Sequence, residues 1–414
     1  MEPAAGRQRK LAAPILAKER VEVSAAVSHC FLTHPRMNIY DSRALLDLAV
    51  EIIRYSDAEH PADATLREAL RAQRGLSRPA GAEVARSVFD YFRWRGWLDG
   101  GDVSPAQVTE ASRLAERFAA RPDVFTDEDL INKAVPGWVV EQIQPTAEWC
   151  RALQTPADLW LRSKSGGEAA LREQLPDAES GPFPCALRYA GEADLFRHPQ
   201  FQAGEFEIQD IASQAVGLVC APQPGETWWD ACAGEGGKLL HLSDLMRNRG
   251  LIWASDRATW RLAKLRRRAA RAKCFNYRAA AWDGSERLPT KTLFDGVLVD
   301  APCAGLGTWG RNPHARWTTG PGDVAELADV QLRLLRACAR AVKVGGRLVY
   351  AVCTLSRAET DEVAESFTTS QSGFEPLPFA NPFAPQTGTS PRQTWWPQTT
   401  GGNGMFVAVW LRKG

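Results

Sequence analysis

Two cysteines stand in settings that a packing residue would not need. Cys303 follows the apolar run "LFDGVLV" inside "VDAPCAGLGTWGRNPHARW" (299–317), and Cys353 closes the run in "GGRLVYAVCTLSRAETDEV". Each lies where a strand gives way to a loop, which leaves sulfur within reach of a ligand. A thiolate is a competent nucleophile when nearby positive charge or a helix N-terminus lowers its pKa. Carbon 5 of a pyrimidine needs such a nucleophile, because it is barely reactive alone. A thiolate added to carbon 6 places electron density on carbon 5, which can then take a methyl group; the carbon 5 proton leaves and the thiol is eliminated. A lone cysteine reads more simply as a small buried hydrophobe. The pair, at the ends of neighbouring strands beside a ligand pocket, favours the chemical reading.

That pocket is announced by "WWDACAGEGGKLLHL" (228–242), a strand, a glycine-rich turn and a helix. As a phosphate-binding P-loop it fails, since Cys232 and Leu239 stand where Gly and Ser or Thr are needed. As a dinucleotide fingerprint it half fails: Gly234-Glu235-Gly236 supplies Gly-x-Gly, but Leu239 takes the third glycine position. The turn still admits a ligand close to the backbone, against the positive end of a helix. Asp256 ends the next strand, "LIWASD", where an acid accepts hydrogen bonds from the ribose hydroxyls of an adenosine. Asp283 ends the third strand, within reach of the adenine edge, and Asp300 ends the fourth, where it could contact ring nitrogen 3 of a target base. Singly these aspartates read as caps or turn residues; jointly, after a glycine loop, they outline a nucleoside pocket. The absence of a pyrophosphate site favours S-adenosylmethionine over NAD.

The elements that must position these groups alternate after residue 206. Strands are expected at "ETWWDAC", "LIWASD", "KCFNYRAAA", "FDGVLVDAP" and "GGRLVYAVC", with helices at "GKLLHLSDLMRNR", "TWRLAKLRRRAARA" and "VAELADVQLRLLRACARAVK". This alternation specifies an α/β fold, a Rossmann-like doubly wound sheet. The tail "QTWWPQTTGGNGMFVAVWLRK" reads as an antiparallel edge hairpin with a Gly-rich turn. Residues 131–205 read as a small α+β bridging segment, and 1–130 as amphipathic helices such as "SRALLDLAVEIIRYS" and "AGAEVARSVFDYFRWRGWLDGGD".

Composition narrows the classes. At 414 residues the chain predicts two or three domains, and 44% hydrophobic with 24% charged residues is the make-up of a soluble globular protein. A net charge of +1 means that an anionic partner must be met by a local patch. No apolar run reaches the roughly 18 residues of a membrane helix, and "MEPAAGRQRKLAAPILAKER" lacks the core of a signal peptide, so an intracellular location is expected. Nine cysteines, odd in number and without a Cys-x-x-Cys pair, argue against a disulfide framework or structural zinc. Cys338, within a helix, and Cys232, in the glycine loop, are expected to pack.

Taken together, "FEIQDIASQAV", "DACAGEGGK", "DAPCAGLGTWGRNP" and "VCTLSRAETDEV" resemble the S-adenosylmethionine-dependent RNA cytosine-C5 methyltransferases of the NOL/NOP/Sun (RsmB-like) group, over about residues 200–414. The resemblance implies methyl transfer to carbon 5 of cytosine in RNA, with Cys353 as nucleophile and Cys303 assisting product release. It implies a cofactor site lined by Cys232, Ala233, Gly234, Glu235, Gly236, Gly237, Lys238, Asp256, Arg261, Asp283 and Asp300, with Asp300 also near the target base. Departures from the family pattern are mild: Glu235 replaces a Pro, Leu239 and Ala304 replace Thr and Ser, Thr354 replaces Ser, and Glu359-Thr360-Asp361 replaces Glu-Asn-Glu.

The N-terminal stretch "PADATLREALRAQRG" with "AGAEVARSVFDYFRWRGWL" resembles the NusB-like RNA-binding domain fused to some relatives, an unrelated helical domain being the alternative. An RNA substrate is therefore expected, ribosomal RNA first and transfer RNA open, with a monomeric cytoplasmic protein and neither metal nor membrane. Nine basic residues between 257 and 278 (Arg257, Arg261, Lys264, Arg266, Arg267, Arg268, Arg271, Lys273 and Arg278) could neutralise phosphates or pair with acids elsewhere. Trp309, Arg311, Asn312, Arg316 and Trp317 could meet bases near Cys303. Two rival classes remain: an amino-group methyltransferase, which needs no thiol, and a catalytically silent RNA-binding assembly factor, which needs neither the cysteines nor the acids. A nicotinamide oxidoreductase is disfavoured by Leu239.

Overall fold

The computed structural model describes residues 42–73 and 75–414, so the opening segment of the expected helical domain, residues 1–41, lies outside the described residues. The chain divides into two compact units. In the smaller, described over 42–73, 75–91 and 99–112, α1 (Ser42–Tyr55) and α2 (Ala62–Ala72) pack through Leu45, Leu48, Ile52, Ile53, Leu66 and Ala69. The spacing of these apolar residues puts them on one face of each helix, and that is why the segments fold as helices at all. Helices α3 (Arg78–Trp94) and α4 (Pro105–Ala120) begin in this unit and end in the other.

The larger unit, Phe92–Leu98 and Arg113–Gly414, carries three sheets among its described residues. A small antiparallel sheet, order β2-β3-β1-β4, is built from β1 (Leu159–Ser163), β2 (Ala178–Ser180), β3 (Ala186–Tyr189) and β4 (Phe206–Ile208). Its fourth strand lies past residue 205, where the sequence suggested that the bridging segment ends: three residues are too few for periodicity to reveal. Within the bridging segment, "PGWVVEQI" forms a 3₁₀ turn at Gly137–Glu141.

The main sheet has eight strands. Seven lie in the order β10-β14-β9-β8-β5-β6-β7, and the eighth, β13, pairs with β14 along the same edge as β10. The parallel members are β5 (Thr227–Asp230), β6 (Leu251–Asp256), β7 (Tyr277–Ala281), β8 (Phe294–Asp300) and β9 (Val342–Val352). β10 (Phe374–Pro376), β13 (Arg392–Trp395) and β14 (Met405–Arg412) add antiparallel pairing, while β11 (Phe379–Ala380) and β12 (Thr389–Ser390) form a separate ladder. The expected terminal hairpin is present, but a helical turn at Pro397–Thr400 precedes its glycines.

Both faces of β5, β6, β8 and β9 are largely buried, whereas the edge strand β7 is only partly covered, and alternate residues serve opposite faces. Trp229, Val297, Val299, Leu348 and Tyr350 pack with α8 (Pro321–Ala339) and α9 (Asp361–Ser370) through Leu334, Leu335, Cys338 and Phe367. Trp228, Leu298, Val349 and Ala351 pack with α5 (Ile211–Cys220), α6 (Gly237–Leu245) and α7 (Thr259–Arg271) through Val216, Leu240 and Leu265. Helices on both faces oblige all five parallel strands to end on one side, and the candidate residues gather there.

Candidate active site

Strand β5 leads into the glycine loop, and α6 leaves it. Gly234 (φ +54°) and Gly236 (φ +90°) both adopt left-handed backbone. A Cβ at Gly236 would meet Leu265 Cγ at 2.8 Å, whereas a Cβ at Gly234 would face open space. The loop thus turns tightly against α7 on one side and leaves a cradle on the other. Gly234 N–H donates to Asp256 Oδ2 (3.0 Å), and Ala258 N–H donates to Oδ1 (2.7 Å), so this strand-end carboxylate ties the loop to the start of α7. Arg261 reaches the same carboxylate at 3.9 Å. Asp283 lies two residues beyond β7 and is exposed; its hydrogen bonds with Ser285 hold its pKa below the usual carboxylate value.

At the centre, Lys238 from the first turn of α6 donates to Asp300 Oδ2 at 2.7 Å. Burial alone would lower the Lys238 pKa, but the Asp300 carboxylate reverses this and raises it. Beside them, Cys303 and Cys353 bring their sulfurs to 3.4 Å, half-buried at the ends of paired strands. The two protonation states are unequal. A hydrogen bond from Cys303 lowers the Cys353 pKa, against burial and Asp300, and Lys238 also lowers it. The same bond raises Cys303 well above an ordinary thiol, with burial adding to the rise. Of the two sulfurs, Cys353 is the one whose surroundings favour the anion and Cys303 the one whose surroundings favour the thiol.

One acid escaped the sequence reading. Asp230 ends β5 and is fully buried, and neither carboxylate oxygen makes a well-formed hydrogen bond, although Leu239 N–H lies near enough to lower its pKa slightly. Burial, then the neighbouring Asp300, pushes its pKa from 3.8 up to about 8. The signal was available: "WWDAC" ends a strand on an acid, as the strands of Asp256 and Asp300 do.

The expected base-contacting cluster is instead structural. Trp309 is fully buried and stacks on Trp149, ring centroids 6.3 Å apart. Arg316, also fully buried, donates to the carbonyls of Arg93 (3.3 Å), Ala134 (2.8 Å) and Leu153 (3.0 Å). Each carbonyl lies at the C-terminal end of a helix, where backbone oxygens have lost their own donors. Desolvation pushes the Arg316 pKa down to about 9. Trp317 donates to Phe92 O (2.6 Å), and Arg311 donates to Asp210 Oδ2 (3.1 Å) and Asp158 O. These residues weld loop to scaffold.

The basic run divides. Arg268 and Arg271 clamp the buried Glu207, Lys264 pairs with Glu235, and Lys273 approaches Glu205. Arg257, Arg267 and Arg278 remain exposed. Cys338 and Cys232 pack in the core, as expected. Among the described residues no cluster of three or more potential ligands could hold a metal ion, and no helix is long and apolar enough to cross a membrane.

A doubly wound sheet with a glycine loop and strand-end acids on one side defines the Rossmann-like methyltransferases. A methyltransferase homolog protein from Pyrococcus horikoshii shares the fold, with a TM-score of 0.57 and 24% identity over 67% of this chain and 93% of that one. The family model described as 16S rRNA methyltransferase RsmB/F matches residues 217–411. The ribosomal RNA small subunit methyltransferase B of Xylella fastidiosa is 31% identical, over 87% of this chain and 86% of its own. The chain belongs to this RsmB/F family. A probable ribosomal RNA small subunit methyltransferase B of Synechocystis is 39% identical over 47% of this chain, a match that spans 45% of that relative, less than half its length.

Proposed function

We propose that the protein transfers a methyl group from S-adenosylmethionine to carbon 5 of a cytosine in small-subunit ribosomal RNA, through a covalent bond between Cys353 and the base. The observation that carries this is the contact between the Cys353 and Cys303 sulfurs, 3.4 Å apart beside the Lys238–Asp300 pair. An amino-group methyltransferase would have no use for it.

The residues present fit the cofactor. The open face at Gly234 accommodates a ligand against the backbone, and each Asp256 oxygen keeps a lone pair for a ribose hydroxyl. Cys232, Ala233, Gly234, Glu235, Gly236, Gly237 and Lys238 would line it, with Arg261 steadying Asp256, Asp283 at the adenine edge and Asp300 at the inner end. When bound, S-adenosylmethionine supplies an electrophilic methyl group.

The chain's own groups do the rest. The target cytosine must leave its stack to reach Cys353. Cys353 Sγ bonds to carbon 6, moving an electron pair toward carbon 5. The Asp300 carboxylate accepts a hydrogen bond from ring nitrogen 3, which takes its proton from solvent as charge develops on the ring; Lys238 balances the carboxylate. After methylation the carbon 5 proton leaves to a base, the Cys353–carbon 6 bond breaks, and its electron pair returns to sulfur. Cys303, still a thiol, donates to the departing thiolate and so assists release.

In this reading residues up to 130 supply a NusB-like RNA-binding module, 131–205 a bridge that borrows β4, and 206–414 the methyltransferase. The protein works as a cytoplasmic monomer. The test is to incubate it with cellular RNA and tritiated S-adenosylmethionine and to identify the labelled nucleoside. Label in 5-methylcytidine that vanishes in Cys353→Ala, with an RNA–protein adduct accumulating in Cys303→Ala, supports the mechanism. Label elsewhere, or label indifferent to Cys353, removes it.

A further inference from the structure

One buried side chain touches both cysteine loops. Glu359 is fully buried in the turn before α9. Its Oε1 accepts from Ala304 N–H (2.8 Å), next to Cys303, and from Gln331 Nε2 (2.9 Å), which also donates to Pro302 O (2.9 Å). Its Oε2 accepts from Thr354 Oγ1 (3.0 Å), next to Cys353, and from Ser356 Oγ (2.6 Å). Its own carbonyl accepts from Tyr350 OH at 2.6 Å, and Tyr350 also bonds Gln331. A carboxylate offers about four acceptor sites, and all four are used here.

So dense a set of donors around one buried carboxylate has two consequences. Burial raises the Glu359 pKa, while Ser356, Ala304, Gln331 and Thr354 all favour its charged form. The charge then lies on the Cys303 side of the pair, where it disfavours a second anion. The groups facing Cys353 are different: Cys303, Asp300 and Lys238. Tyr350, pushed far above its usual range by burial and then by Cys303 and Glu359, stays neutral and adds no charge.

We propose that Glu359 is a positioning residue that ties the two cysteine loops together and keeps Cys303 the proton donor, so that Cys353 is the sulfur that attacks. The proposal rests on the reading of Cys353 as nucleophile, but its test needs neither RNA nor methyl transfer. Glutamine at 359 can keep the geometry: its oxygen faces Ala304 and Gln331, and its amide donates to the Thr354 and Ser356 hydroxyls, which also accept. Glu359→Gln therefore removes charge and keeps the clamp; Glu359→Ala removes both.

The experiment is limited alkylation with iodoacetamide across pH 6–9, with the Cys353 and Cys303 peptides quantified by mass spectrometry. Cys353 labels preferentially in the parent protein. In Glu359→Gln the Cys353-to-Cys303 labelling ratio falls about tenfold, as expected when the two thiols draw one pKa unit closer. Circular dichroism checks the fold, and Ser356→Ala, which loosens the carboxylate, shifts the ratio the same way by less. An unchanged ratio in folded Glu359→Gln overturns the proposal. Should Glu359→Gln not fold, an unchanged ratio in Ser356→Ala overturns it. Loss of methylation alongside an altered ratio leaves it standing, whereas a parent protein that fails to methylate RNA while showing the predicted ratios faults only the proposed reaction.

Discussion

Lys238 Nζ lies 2.7 Å from Asp300 Oδ2, with side-chain exposures of 10% and 29%, and both charges act on the sulfur of Cys353. Its two members push that sulfur in opposite directions, Asp300 raising its pKa and Lys238 lowering it. Lys238→Met would leave only the unfavourable one. Alkylation of Cys353 at pH 7 should slow by about tenfold, the curve moving to higher pH, with a stability loss of about 1–3 kcal/mol from the unpaired carboxylate. An alkylation–pH curve that does not move would show that Lys238 has no hold on the sulfur.

Asp230 carries a sign that is easily mistaken. Its folded pKa, about 8, lies above its unfolded value of 3.8, so between those values the unfolded chain has lost a proton that the folded one keeps. Stability therefore falls as pH rises through that window. Asp230→Asn removes the titration. The two proteins should be equally stable near pH 4, and the variant should be the more stable by a few kcal/mol at pH 7. Urea denaturation at both values is the measurement, and a difference independent of pH would refute the assignment.

The two left-handed glycines should fail differently. Gly236→Ala drives a methyl group into Leu265, so it should cost about 2 kcal/mol or more of stability in a core that cannot yield. Gly234→Ala has room for its methyl group and should cost only the roughly 1 kcal/mol of left-handed backbone. That methyl group nonetheless occupies the cradle. Calorimetric titration with S-adenosylmethionine should show weakened binding in a protein that melts near the parent temperature; unimpaired binding would place the cofactor elsewhere.

The basic run can be sorted by salt dependence. If Arg257 and Arg267 meet phosphates, changing both to Gln should flatten the slope of log affinity against log salt by about 1.4, at roughly 0.7 per single-strand contact. Arg271→Gln should leave that slope alone and lower stability by about 1–3 kcal/mol, because Glu207 is buried and loses one of its two partners. The reverse pattern would exchange the roles.

What the sequence made legible was whatever repeats with a period or sits at a strand end. Apolar runs such as "FDGVLVD" and "GGRLVYAV", alternating with helical stretches, marked the parallel strands, and strand adjacency placed Cys303 beside Cys353. Composition could not distinguish an arginine facing solvent from Arg316, whose partners are carbonyls far apart in sequence. Glu359 was visible only as part of a motif, because its four donors come from three segments. Asp230 was overlooked although it ends a strand, since its complete burial beside Asp300 is a property of three dimensions alone.

Strand β4 has a bearing on how this chain could be divided. Glu207 on β4 receives Arg268 and Arg271 from α7, and Arg162 on β1, nearly inaccessible to solvent, bonds Asp244 on α6 and Gln209. A fragment excised at residue 206 would carry off one strand of a four-stranded sheet and strand two arginines around an acid that had lost its roof. A fragment beginning ahead of Leu159 keeps every one of those partners. That fragment still loses Arg93, Ala134 and Leu153, whose carbonyls hold the buried Arg316, so the seam for truncation, fusion or transplantation lies upstream of Phe92, and the small sheet travels with the main one as its buttress.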